Sequence, residues 1–81
     1  MNIAVRLFAR ARDLAGTDRL AIELSEPADV RQLKQQLGAQ CPRLRPILPQ
    51  LLVAVGTEYA TNDTPLDGDA DVACFPPVSG G

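Results

Sequence analysis

The last seven residues of the sequence are of types that suit acyl chemistry: Phe75-Pro76-Pro77-Val78-Ser79-Gly80-Gly81. The two prolines fix φ and lack an N–H, so we expect the segment to leave the last strand as a stiff, extended tail. Gly80 and Gly81 have no Cβ, so they can enter a narrow channel and adopt the backbone angles that it requires. A carboxylate on Gly81 could then be adenylated and passed to a nucleophile.

A Gly-Gly ending has two simpler explanations, a disordered chain end and an expression scar. The two prolines follow directly on a strand-like run, however, and a linker would be longer and richer in Ser and Gly. We therefore interpret Gly81 as the reactive group, Gly80 as a thin spacer, and the residues before them as the part that a partner binds.

Length and charge limit the possible classes of protein. The 81 residues, 46% of them hydrophobic, are enough for one small domain, and the net charge of −2 does not favour nucleic acid binding. The segment up to Arg45 contains all eight Lys and Arg residues and five acidic residues. The segment after Arg45 contains five acidic residues and no basic one. This asymmetry fits either a basic partner that receives the tail or acidic residues in solvated turns.

Several functional classes are disfavoured by what the composition lacks. The two cysteines, Cys41 and Cys74, have no CxxC spacing, and there is no histidine. We therefore expect no metal site, no bound cofactor and no His-based catalytic triad. No apolar run is long enough to span a membrane and Met1-Asn2-Ile3 does not begin a signal peptide, so the predicted location is the cytoplasm.

Two strands are predicted near the start of the chain because apolar and polar residues alternate in 2–8 and 19–24. We expect them to pair antiparallel. Their predicted inward residues are Ile3, Val5, Leu7, Leu20, Ile22 and Leu24. A short helix over 9–15, anchored by Leu14 and ended by Gly16, is predicted to connect them.

The main helix is predicted to begin after Asp29, with Asp29 as N-cap and Gln32 at the third helical position. Its end is predicted at Gly38. The apolar stripe expected on the sheet consists of Val30, Leu33 and Leu37.

The second half of the chain is predicted to add three strands. Prolines in 41–49 indicate a crossing loop with room for a turn of helix, pinned by Leu44, Ile47 and Leu48. A short, well-buried strand that is apolar on both faces is expected over 51–55, and an edge strand over 59–61. The last strand, 72–75, should place Val72 and Cys74 on one face and Ala73 and Phe75 on the other, with Phe75 exposed beside the tail.

This order of elements predicts an α+β fold in which a mixed sheet packs on one main helix. If the last strand lies beside the first in the middle of the sheet, the fold is the ubiquitin-like β-grasp. The predicted division is a domain over 1–75 and an extended tail over 76–81.

The whole chain resembles the molybdopterin synthase small subunit family, which belongs to the ubiquitin-like sulfur carriers. The resemblance is carried by Arg12-Asp13-Leu14-Ala15-Gly16, Val53-Ala54-Val55, Thr64-Pro65-Leu66 and the run from Val72 through Gly81. Gly56, where the family usually has Asn, and Cys74, where a larger apolar residue is common, depart from the family pattern.

The resemblance implies a mechanism and a set of partners. An adenylyltransferase of the ubiquitin-activating type would use ATP to adenylate the Gly81 carboxylate, which a persulfide donor would convert to a thiocarboxylate. The tail would then enter the large synthase subunit, in a heterotetramer, and give sulfur to cyclic pyranopterin monophosphate. By the same resemblance, the carrier has no catalytic activity alone. Partner binding is expected from Phe75, Pro76, Pro77, Val78 and Ser79.

Other functions remain open from the sequence. A sulfur carrier for thiamine or cysteine synthesis would share the fold and the Gly-Gly ending. A ubiquitin-like protein modifier would also share them, and the single lysine, Lys34, does not decide against one attachment. A plain interaction module would not need Gly81 at all.

Overall fold

The computed structural model describes residues 1–76, and these form a five-stranded mixed sheet with helices on one face and a separate two-stranded sheet. The strands are β1 (Asn2–Leu7), β2 (Arg19–Glu23), β3 (Ala28–Asp29), β4 (Leu52–Val55), β5 (Glu58–Tyr59), β6 (Pro65–Leu66) and β7 (Val72–Phe75). The α-helices are α1 (Ala9–Ala15) and α2 (Val30–Gln40), and a 3₁₀ helix runs over Pro42–Gln50.

The main sheet has the strand order β2-β1-β7-β4-β5, so the last strand lies in its middle. β7 is parallel to β1 and antiparallel to β4, with Leu7 opposite Cys74 and Leu52 opposite Phe75. This arrangement confirms the predicted α+β class and the β-grasp topology. A central position matters for function because a strand hydrogen-bonded on both sides holds the start of the tail in a fixed place.

The alternation in the first two strands is confirmed, with the ends shifted by one residue. Ile3, Val5 and Leu7 are fully buried, and β1 pairs antiparallel with β2 in the register Ile3 to Ile22. β1 ends at Leu7 because the chain turns at Ala9, whose φ of 52° is left-handed. β2 ends at Glu23, and Leu20 is only half-buried.

Helix α1 has the predicted bounds, but its anchor is different. Gly16 ends it with a φ of 76°, a left-handed angle that glycine adopts without the steric cost of a Cβ. The residue of α1 that is fully buried is Ala11, whereas Leu14 is half-buried. A methyl group at the contact lets α1 lie close to β7 and the 3₁₀ helix.

Helix α2 has the predicted cap and apolar face but continues past its predicted end. The Asp29 carboxylate accepts a hydrogen bond from the Gln32 N–H at 2.9 Å, and Val30, Leu33 and Leu37 are buried. The prediction that α2 ends at Gly38 is wrong, since the helix runs to Gln40.

Packing explains why Gly38 lies inside α2. A Cβ on Gly38 would lie 2.8 Å from the Leu48 Cδ1 atom, so the glycine makes room for the 3₁₀ helix. The Arg45 Nε also donates to the Gly38 carbonyl at 2.9 Å. A tertiary contact has therefore overridden the low helix propensity of glycine.

Two predictions for the middle of the chain need correction. The proline-rich segment is helical over more than the single turn that was predicted, since a 3₁₀ helix runs over Pro42–Gln50. It buries Leu44 and Ile47 as predicted, whereas Leu48 is half-buried. Pro46 and Pro49 lie inside this segment and cannot donate a backbone hydrogen bond, which disfavours a regular α-helix here. β4 is not buried on both faces, because Leu52 is 37% exposed on the face away from the helices.

Candidate functional site

The part of the predicted site that the structure describes is Phe75 and Pro76, which we call the tail root. Pro77, Val78, Ser79, Gly80 and Gly81 lie outside the described residues. Phe75 and Pro76 are both half-buried.

Backbone pairing positions the tail root rigidly. Cys74, one residue before Phe75, accepts a hydrogen bond from the Phe8 N–H at 3.2 Å through its carbonyl oxygen. On the other side, Phe75 lies opposite Leu52 of β4. β7 is therefore held by β1 on one side and by β4 on the other up to its last residues, which fixes the position of the tail root.

The outer face of the sheet carries an aromatic cluster at the tail root, formed by Phe8, Tyr59 and Phe75 with Leu52 beside them. The Phe8 and Phe75 rings stack with centroids 4.9 Å apart and planes 10° apart. Tyr59 meets Phe75 edge-on at 6.5 Å. Such pairs contribute about 0.5–1.5 kcal/mol beyond the burial of their area, so the rings hold one another in place.

The cluster remains largely open to solvent although it is apolar. Tyr59 is 73% exposed, and Phe8 and Leu52 are each 37% exposed. Phe75 is on the outer face, as predicted, but half-buried rather than exposed because Phe8 covers one side of its ring. An exposed patch of large apolar side chains next to a predicted reactive tail is typical of a protein–protein docking surface.

Sequence reasoning found Phe75 but missed Phe8, Tyr59 and Leu52. The outward side of β1 in the alternation already pointed to Phe8, since Asn2, Ala4 and Arg6 share its parity. The sequence does not show that Leu7 pairs with Cys74 in parallel strands, which makes Phe8 and Phe75 neighbours.

A charged pair borders the cluster. The Arg6 guanidinium lies 3.1 Å from the Asp71 carboxylate and 5.8 Å from the centroid of the Phe8 ring. Both side chains are substantially exposed, at 44% and 61%, so the ion pair adds little stability, about 0–1 kcal/mol. Its effect is to keep Arg6 alongside the ring of Phe8.

The thiol nearest to the tail is not a nucleophile. Burial raises the pKa of the Cys74 thiol to about 12, although the positive charge of Lys34 acts in the opposite direction. At neutral pH the group is therefore a neutral thiol packed in the core. Both cysteines are free, and Cys41 is half-buried.

Other kinds of site find no support in the described part of the chain. Residues 1–76 contain no group of three or more His, Cys, Asp or Glu side chains placed to hold a metal ion. Among the same residues, no helix is long and apolar enough to cross a membrane.

Comparison with known proteins gives full-length matches. The ThiS family matches residues 5–81. The molybdopterin synthase sulfur carrier subunit of Escherichia coli (strain K12) is 40% identical over 98% of this chain and 99% of its own. That of Chlamydomonas reinhardtii is 34% identical over 100% of both chains.

Solved structures agree on the fold. SAMP1 from Haloferax volcanii superimposes with a TM-score of 0.86 at 24% identity, covering 100% of both chains. A putative molybdopterin converting factor, subunit 1, from Pyrococcus furiosus has a TM-score of 0.84 at 31% identity, over 96% of this chain and 99% of that one. The chain therefore belongs to the ThiS family, and its full-length curated relatives are molybdopterin synthase sulfur carrier subunits.

Proposed function

We propose that this chain is the sulfur carrier subunit of a molybdopterin synthase. In this proposal the Gly81 carboxylate is adenylated with ATP, becomes a thiocarboxylate, and donates sulfur to cyclic pyranopterin monophosphate to form the dithiolene. The observation that carries the proposal is the 40% identity to the Escherichia coli carrier over almost the whole of both chains. The family match also extends through Gly80 and Gly81.

The chemistry needs activation because a carboxylate is a poor acyl donor. Adenylation gives the Gly81 carbonyl a good leaving group, and the terminal sulfur of a persulfide donor then displaces AMP to form an acyl disulfide. A second thiol reduces this disulfide, so that the donor leaves as part of a new disulfide and Gly81 is released as the thiocarboxylate. A thiocarboxylate sulfur is a stronger nucleophile than a carboxylate oxygen, and burial inside a partner would protect it from hydrolysis. The chain supplies the carrier group, and the partner proteins supply the catalytic groups.

The proposed partners are the large synthase subunit, in a heterotetramer, and an adenylyltransferase of the ubiquitin-activating type. We propose that the aromatic cluster docks on the large subunit, since it is apolar, exposed and adjacent to the tail root. Pro76, Pro77, Val78 and Ser79 would then guide Gly80 and Gly81 into the active site. We propose a cytoplasmic location, where these reactions would occur together.

The proposal is tested by intact-mass measurement after incubation with ATP, the activating enzyme, a persulfide donor and a thiol reductant. The expected result is a mass gain equal to the replacement of one oxygen by sulfur, lost when ATP is omitted. The Escherichia coli carrier serves as a positive control in the same mixture. If that control is charged and this chain is not, the proposal is wrong.

A second step distinguishes the remaining classes. The charged chain is mixed with the large subunit and cyclic pyranopterin monophosphate, and dithiolene formation is measured. Sulfur transfer that occurs only with thiamine or cysteine precursors would assign the chain to another sulfur pathway. Isopeptide bonds from Gly81 to lysines of other proteins, without dithiolene formation, would identify a protein modifier.

A further inference from the structure

The free edge of β2 is closed by side chains rather than by a strand. β2 is the outermost strand of the sheet on the β1 side. The Leu7 N–H donates to the Asp18 carbonyl and the Leu24 N–H to the Met1 carbonyl. Because the direction of hydrogen bonding alternates along an antiparallel strand, the backbone groups of Arg19, Ala21 and Glu23 point away from β1.

One end of this edge is bonded by a glutamine from α2. The Gln40 Nε2 donates to the Glu23 carbonyl at 3.2 Å, and the Gln40 Oε1 lies 3.5 Å from the Glu23 nitrogen. The side-chain amide thus bonds both outward groups of Glu23, as the peptide of a neighbouring strand would. The Gln36 Oε1 accepts a second hydrogen bond from Nε2 at 3.0 Å, which fixes the orientation of the amide.

The other end is bonded by a threonine. The Thr17 hydroxyl donates to the Arg19 carbonyl at 3.1 Å and accepts from the Arg19 N–H at 3.3 Å. Within residues 1–76, Ala21 is then the only one of the outward residues whose N–H and carbonyl lack a partner. An open groove of about 260 Å³ lies at the Glu23 end, lined by Glu23 of β2 and by Gln32, Gln36 and Gln40 of α2.

The residues along this edge would fit a second copy of the same edge. If two β2 strands paired antiparallel about Ala21, Arg19 of each copy would lie opposite Glu23 of the other, as a twofold contact requires. The side chains of Arg19, Ala21 and Glu23 are exposed, and in the described part of the chain neither charged residue forms an ion pair. Opposite charges and small side chains at such positions favour pairing.

We propose that β2 is a self-complementary sheet edge and that the hydrogen bonds of Thr17 and Gln40 prevent it from pairing with β2 of a second copy of this chain. Unpaired edges are a common route to unwanted strand pairing, and proteins block them with side chains or short strands. The opposite edge, β5, is protected differently, since it is only two residues long. This closure does not depend on the proposed sulfur chemistry.

The test removes the Thr17 hydroxyl and the Gln40 amide and keeps the exposed side chains of the β2 edge unchanged. The double variant Thr17→Val with Gln40→Ala should associate into dimers in sedimentation equilibrium at concentrations where the parent chain is monomeric. The matched control is Thr57→Val with Gln35→Ala, which removes the same groups from exposed positions away from β2. Added salt should weaken the dimer because the Arg19 and Glu23 charges are screened.

A third substitution tests the register. Ala21→Lys in the double variant places two positive charges against each other on the twofold axis, so the monomer should return. A double variant that stays monomeric, or one that associates equally with Ala21→Lys, overturns the proposal.

Amide exchange on the parent chain gives an independent measurement that needs no variant. The Arg19 and Glu23 N–H groups should exchange about five- to tenfold more slowly, after correction for sequence, than that of Ala21, because each has a hydrogen-bond acceptor worth roughly 1 kcal/mol. Equal exchange of all three would show that Thr17 and Gln40 do not close the edge.

Discussion

At the scale of single residues, Phe75 links the fold to the proposed function. Its ring packs on Phe8 outside the core, and its backbone pairs with β4. Truncating the ring therefore removes outer-face contacts and leaves the core unchanged. The same argument applies to Tyr59, which is more exposed.

We predict that Phe75→Ala weakens binding to the large subunit by about 2 kcal/mol or more, the size of a typical interface hot spot. The change in the free energy of unfolding should be much smaller. Calorimetric titration of the large subunit and thermal unfolding of the free chain measure the two effects. Val55→Ala is a control, since it truncates a half-buried apolar residue at the other end of β4.

A Phe75→Ala chain that unfolds readily but binds normally when folded would contradict this assignment. Phe75 would then act as a core residue, and the outer face at the tail root would not be the docking surface.

A second residue-scale prediction concerns the two thiols. In the native chain, a thiol-alkylating reagent at neutral pH should modify Cys41 well before Cys74, because only the thiolate reacts and the pKa of Cys74 is raised to about 12. Mass mapping of the labelled peptides measures the rates. In denaturant the two rates should become similar.

The sign of the pH dependence follows from the same raised pKa. The Cys74 thiol ionises near pH 8.5–9 in the unfolded chain, whereas in the folded chain it stays neutral up to about pH 12. Its contribution to the free energy of unfolding is therefore fully present below pH 8.5 and is lost as the pH rises to 12. Cys74→Ala should remove this part of the alkaline loss of stability. Rapid native labelling of Cys74 at pH 7 would contradict the assignment.

At the scale of elements, α2 contributes its apolar face to the core on the inner side of the sheet. The buried stripe of Val30, Leu33 and Leu37 lies against the inner face that also contains Val72 and Cys74. In a domain of this size, one such contact is a large fraction of the total stability.

We predict that Leu33→Ala lowers the free energy of unfolding by about 2–5 kcal/mol, the cost of a cavity at a fully buried leucine. Chemical denaturation measures the change. Gln35→Ala is the control on the exposed face of the same helix and should change stability by less than about 0.5 kcal/mol. Equal midpoints for the two variants would show that Leu33 does not face the sheet.

Many features of these helices and strands were predictable from the sequence. The alternation in β1 and the Asp29 cap depend on neighbouring residues, so local sequence carries the information. The continuation of α2 past Gly38 was not predictable, because it depends on Leu48 and Arg45, which belong to another helix.

At the scale of the whole molecule, the proposal assigns stability to the folded domain and reactivity to Gly81. We predict that removing Gly81, or adding one residue after it, abolishes sulfur transfer, since the proposed reactive group is the Gly81 carboxylate itself. Thermal unfolding should be unchanged because the described core lies within residues 3–74. Dithiolene formation with the large subunit measures the transfer.

A truncated chain that supports normal dithiolene formation would contradict the carrier role of Gly81. A loss of activity accompanied by unfolding would instead show that the tail contributes to stability. The division into a domain over 1–75 and a tail over 76–81 stays a prediction until such variants are compared.

The sequence by itself determined the class of fold, the faces of the strands and the position of the predicted reactive glycine. Those features depend on the residue types and their spacing along the chain. Only the tertiary structure decided that Phe8, Tyr59 and Leu52 join Phe75, because they are brought together by β7 lying between β1 and β4. The tertiary structure also decided the closure of the β2 edge at Glu23, because α2 brings Gln40 to a strand 17 residues earlier in the chain. The Thr17 bonds at the other end of the edge are local, since Arg19 is two residues away.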